Sequence, residues 1–165
     1  LWHPLLLLNH VALVSTIAYV WEAKRPPLTR GHLWSVVGGL TLVNCASIAL
    51  VGWRRHGRFG VGYLDALAVT PALLFPALAV LLFAAFGLGL YLRVGKQRRA
   101  GQTLMSYGLL WLIVYDAAFA AGYVNFASGA MILSLLPLAY LSVQLLRWWG
   151  KVLSLSQKPE FQRVR

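Results

Sequence analysis

The sequence predicts an all-α fold, a polytopic transmembrane helical bundle of about five spans, and three observations carry that expectation. Of 165 residues, 59% are apolar and 12% charged, against roughly 50% and 25% in a soluble domain, so the surplus apolar surface needs lipid to face. The charges fall in short runs between long uncharged stretches. Trp2, Trp21, Trp34, Trp53, Trp148 and Trp149 stand at the ends of those stretches, where an amphipathic ring settles at the headgroup level.

A hydrocarbon core of about 30 Å takes about 20 helical residues, and a helix satisfies every backbone group internally. The first two spans are expected over residues 5–21 and 34–53. Residues 61–92 are too long for one upright helix and too short for two joined by a turn. Pro71 suggests the division, with 61–70 an interfacial segment and 71–92 the third span, because proline is tolerated at a helix start. Pro76 then produces at most a kink in the first turns. The fourth span is expected over 104–125, interrupted by Asp116, and the fifth over 129–146. Residues 1–153 thus form the transmembrane domain. The polar, basic tail 154–165 is expected on the cytoplasmic surface or disordered.

With five spans, one side carries twelve Lys and Arg and the other three, namely Arg54, Arg55 and Arg58. The positive-inside rule puts the twelve and the C-terminus in the cytoplasm, as expected for a bacterial inner-membrane protein. The net charge of +11 raises nucleic-acid binding as a rival, but the cations sit in connectors and form no continuous basic face, so no nucleic acid is expected. Cys45 is the single cysteine, which excludes an internal disulfide or Cys-X-X-Cys pair and reads as a small core filler. The opening Leu1-Trp2-His3-Pro4 lacks a Met and a positive n-region. The first apolar run is therefore not expected to be a signal peptide, and the chain is expected to begin partway through a longer protein.

Asp116 is the most informative single residue, because a carboxylate near the middle of a span is costly without a partner or a polar cavity. It is either a ligand, cation or proton site, or a hydrogen-bonded group that locks helix packing through Tyr107 or Tyr115. In the first connector, Glu22 lies beside Lys24, Arg25 and Arg30. An acid among cations at a helix end can hold a diphosphate, directly or through Mg²⁺; the plainer reading is a positive-inside loop. His10, next to Asn9, could serve as an axial ligand to a pigment or as a packing hydrogen-bond donor. His3, His10, His32 and His56 offer no i, i+4 metal pair. Gly87 and Gly89 read as close helix contacts.

The run Ser15-Thr16-Ile17-Ala18-Tyr19-Val20-Trp21-Glu22 resembles the end of the sixth helix of UbiA-type intramembrane prenyltransferases, which leads into that family's second acidic motif. A loop and helix over 31–52, a helix ending in Tyr91-Leu92-Arg93, a basic loop through Arg99, and a helix bearing Tyr107 and Asp116 follow in the same order. The resemblance covers nearly the whole chain as the C-terminal half of such an enzyme. It implies transfer of a prenyl group from a prenyl diphosphate to an aromatic or lipid acceptor, with Mg²⁺ at the acidic motifs. Only Glu22 occupies an acidic position of the motif; Lys24, Arg25 and Pro26 stand at the positions after it. Activity would thus require the N-terminal half. The alternative is a non-enzymatic subunit of a respiratory or photosynthetic membrane complex that binds lipid, quinone or pigment beside other membrane subunits. Transport is a third and weaker option, since paired broken helices and several buried charges are not evident.

Overall fold

The computed structural model describes residues 1–23, 26–56, 67 and 69–156. Most of the expected interfacial segment 61–70 and the tail beyond Ser156 fall outside these residues. Every regular element described is helical: α1 (Trp2–Trp21), α2 (Arg30–His56), a 3-10 turn (Pro71–Leu73) leading into α3 (Leu74–Val94), α4 (Arg98–Tyr123), α5 (Phe126–Leu133) and α6 (Leu135–Ser156). Five stretches are long and apolar enough to cross a bilayer: Trp2–Trp21, Arg30–Arg54, Pro71–Val94, Arg98–Tyr123, and Phe126–Leu153. This is the all-α class that composition predicts.

Local chemistry sets the boundaries. Thr70 is extended, with φ −122° and ψ 161°, and Pro71 opens the third span, as a residue before proline and a proline at a helix start each prefer. Gly95 closes α3 at φ 72° and ψ −165°, its N–H donating to the Tyr91 carbonyl, a positive-φ conformation that glycine adopts without steric cost. α4 starts at Arg98, ahead of the expected residue 104, because hydropathy marks the hydrocarbon whereas a helix continues through the headgroup layer. The fifth span departs from the continuous helix expected over 129–146. α5 is capped by Asn125, whose side chain accepts from the Ser128 N–H at 2.7 Å, and the helix breaks at Ser134 before α6 begins. Pro137 explains the break, since it has no N–H for the Leu133 carbonyl and its ring crowds that oxygen.

α4 is the hub. It packs against α1, α3, α5, α6 and the 3-10 turn, whereas α2 touches the bundle through α1. Lipid tails are as apolar as leucine, so helices associate in a bilayer through close packing and polar bonds, which small residues permit. Four glycines provide the approach. A Cβ added at Gly108 would lie 2.6 Å from Val14 Cγ1, and one at Gly101 would lie 2.8 Å from the Ala18 carbonyl. At Gly122 it would lie 2.5 Å from the Ala72 carbonyl, and at Gly129 2.7 Å from that of Ala117. Ala18 opposite Gly101 and Val14 opposite Gly108 make α1 and α4 antiparallel.

Two expectations are corrected here. Gly89 has nothing within 4 Å of a Cβ position, and Gly87 only the Leu104 side chain at 3.7 Å, so these two glycines are not the close contacts. Cys45 is exposed on α2 and fills no core. Large apolar side chains face outward on the peripheral helices, with Leu42 71% and Leu146 70% exposed, as lipid contact requires. Polar residues inside the spans are satisfied locally: the hydroxyls of Thr16, Thr41 and Ser142 donate to carbonyls four residues back, a pairing available within any helix.

Candidate functional site

α1 and α3 both pack on α4, but among the described residues their backbones do not pack on each other. The gap between them is a cleft of about 560 Å³, walled by Leu13 and Ile17 from α1 and Ala84 and Leu88 from α3, and floored by Leu104 and Tyr115 from α4. That size falls in the range of small-molecule pockets. A second cavity of about 320 Å³ shares Leu6, Asn9 and Val80 with it and extends the same gap toward Trp2 and Phe119. At the other end, the rings of Trp21 and Tyr91 stack at 5.9 Å. The wall positions recur at helical spacing on α1 (6, 9, 13, 17) and on α3 (80, 84, 87, 91), so each helix turns one face to the cleft.

His10, Tyr115 and Asn9, which line the cleft, are each hydrogen-bonded within the bundle. His10 Nε2 donates to the Gly108 carbonyl at 2.9 Å, and the Tyr115 hydroxyl donates to His10 Nδ1 at 3.0 Å. A carbonyl can only accept, so the proton sits on Nε2, and both ring nitrogens are occupied. The residue is 7% exposed and lies edge-on to Phe83. Its geometry is that of a seam lock between α1 and α4, the packing role that sequence offered beside an axial pigment ligand, and it leaves no ring nitrogen for the latter. Asn9 and Asn44 exchange two amide bonds at 2.8 Å, and each donates its second N–H to a carbonyl four residues back. Both amides thus use all their donors, and they fasten α2 to α1.

The remaining sequence-derived candidates separate. Asp116 pairs with His3, Nε2 to Oδ1 at 2.6 Å, at the opposite end of α1 from Glu22. Its partner is neither Tyr115, which bonds to His10, nor Tyr107, which is 40% exposed and packs on Phe86. His3 was missed because a histidine at the chain's first turn carries no periodic signal. Glu22 and Asp116 are therefore about 30 Å apart at 1.5 Å per helical residue. Arg30 opens α2 and is exposed; Lys24 and Arg25 lie outside the described residues. Glu22 lines a separate polar pocket with Arg99, Arg147 and Lys151. Among the described residues, no three His, Cys, Asp or Glu converge as a metal site. A lone carboxylate among three cations is a poor match to the oxygen-rich, octahedral shell Mg²⁺ demands.

Compared with family models, curated proteins and solved structures, the chain matches none. Fold and cleft define its class directly. It is an integral membrane protein, a helical bundle organised around one central span, with an apolar cleft between two of its helices.

Proposed function

We propose that this chain binds the long apolar tail of a membrane isoprenoid in the cleft between α1 and α3. The single observation that carries this reading is the cleft itself: almost wholly apolar, open along the bundle, and with the donors of Asn9, His10 and Tyr115 already used. Such a wall selects mainly by shape and burial. Ordering a flexible tail there is favourable because the wall replaces mobile lipid with fixed van der Waals partners. The Trp21–Tyr91 stack stops the tail at the basic end, which the positive-inside rule assigns to the cytoplasm together with the C-terminus.

Binding is favoured over prenyl transfer by the chain's own residues. Glu22 borders a pocket on the other side of the α1–α4 seam from the cleft, and Asp116 is occupied by His3 about 30 Å away. In a longer UbiA-like polypeptide the same cleft would hold the donor's prenyl tail, with acidic residues supplied from elsewhere. As a non-catalytic subunit, the chain would use the cleft for the tail of a bound lipid or quinone, and the outer face of α2 would meet lipid or another subunit.

A diazirine-bearing polyprenyl probe tests the reading in lipid nanodiscs. Photolabelling should map to Leu13, Ile17, Ala84 and Leu88. Ala84→Trp, which fills the cleft, should cut labelling by at least about fivefold, a loss of about 1 kcal/mol in binding. Leu81→Trp, on an exposed position of α3 that does not line the cleft, should leave it unchanged. Equal labelling of all three proteins would refute cleft binding.

A further inference from the structure

On the side of the α1–α4 seam away from the cleft, two polar stripes face each other. α4 contributes Arg99, Gln102, Thr103 and Ser106, and α6 contributes Gln144, Arg147, Trp148 and Lys151, with Glu22 at the end of α1 between them. Each stripe runs at i, i+3, i+4, i+7, the spacing that makes one helical face. Beside the contacts that join α4 and α6, the two faces border an open gap of about 830 Å³. Arg147 donates to the Ser106 hydroxyl, which ties α6 to α4 across the gap. One such bond engages a single N–H of a guanidinium that has five.

The lining carries three cations against one carboxylate, and Glu22 and Lys151 already hold contacts of their own. α4 begins here with no side-chain cap on its N-terminus, so the first-turn N–H groups and the positive end of the helix dipole add to the field. The gap lies at the level of Trp148 and Trp21, where headgroups lie. A gap bordered by three cations is a poor host for hydrocarbon, and its donors match the oxygens of a tetrahedral anion. We propose that this pocket binds a phosphate group, delivered either by an anionic lipid headgroup or by a soluble phosphate ester. The site is independent of the cleft, because the α1–α4 seam separates the two.

The test uses the full chain in phosphatidylcholine nanodiscs, with either phosphatidylglycerol added to the bilayer or inorganic phosphate and pyrophosphate added to the buffer. Bound anion is read by native mass spectrometry and by the rise in thermal midpoint. The variants are Arg147→Gln with Lys151→Gln, Arg99→Gln alone, and Arg30→Gln with Arg93→Gln as a control on the same basic end outside the pocket. Helical content by circular dichroism checks that each variant folds, and Arg147→Lys tests whether the fork geometry matters in addition to charge.

The pocket pair should weaken anion binding about tenfold or more, as loss of a charge-assisted hydrogen bond implies, while the control pair keeps it. Saturation by phosphatidylglycerol identifies a lipid headgroup, and saturation by the soluble anions in pure phosphatidylcholine identifies a free ester. Absence of binding in both arms, or equal losses in the pocket and control pairs, would overturn the proposal.

Discussion

Gly108→Ala is the sharpest probe of the seam on which both sites depend. The new methyl would sit 2.6 Å from Val14 Cγ1, where ordinary contact is 3.4–4 Å, so one helix must withdraw by about 1 Å or Val14 must leave its rotamer. Overpacking of this kind costs about 1–3 kcal/mol, and withdrawal would also stretch the His10 bond to the Gly108 carbonyl, 2.9 Å in the native seam. The offending atom belongs to a side chain, so relief is available: Val14→Ala removes it. The double variant should therefore recover most of the loss, a coupling of about 1 kcal/mol or more in a double-mutant cycle. Gly89→Ala, with nothing within 4 Å, is the matched control and should be neutral or stabilising by up to about 1 kcal/mol, the helix-propensity gain that both glycine variants share. Steric trapping or thermal unfolding in detergent micelles reads all four proteins, at about 2–4 °C per kcal/mol for a chain of this size. If Gly108→Ala cost no more than Gly89→Ala, or if Val14→Ala failed to rescue it, the close α1–α4 approach would be wrong.

Three further outcomes follow from the same geometry. Tyr115→Phe removes the donor to His10 Nδ1 inside the seam and should destabilise by about 0.5–1.7 kcal/mol, the span of hydrogen-bond energies measured within bilayers, in the same unfolding assay. Asn44→Leu should release α2 from α1 with little loss of helicity, seen as increased mobility of a spin label on the exposed Cys45; unchanged mobility would mean that something other than the amide pair holds α2. Ala23 adopts φ 49° directly after the end of α1, a left-handed conformation that costs a non-glycine residue about 1 kcal/mol, so Ala23→Gly should stabilise the protein by roughly that amount. A destabilised Ala23→Gly would place the strain elsewhere.

The five apolar helices were legible from hydropathy because hydropathy is a property of segments. The break at Ser134 was legible in principle from Pro137, but an apolar run of uniform hydropathy hides it. The seam was not legible. Gly101, Gly108, Gly122 and Gly129 look no different in sequence from Gly87 and Gly89; what separates them is which helix passes opposite, and that is a tertiary fact. Asp116 stands out in the sequence as a carboxylate within a span, yet its partner His3 lies 113 positions away, beyond any local pattern. Asn44 went unremarked although it is as polar as Asn9, because nothing in the sequence aligns the two. The facing stripes of the phosphate pocket could have been found, since 99, 102, 103 and 106 and 144, 147, 148 and 151 each keep helical spacing; their mutual approach could not.

Native mass spectrometry of protein released from its own membrane shows whether the cleft between α1 and α3 holds an apolar tail. The wild type should retain an isoprenoid that survives removal of bulk phospholipid, and Ala84→Trp should lose it while keeping the same helical content. Wild type and variant carrying the same adducts, or carrying phospholipid alone, would mean that the cleft holds no isoprenoid tail.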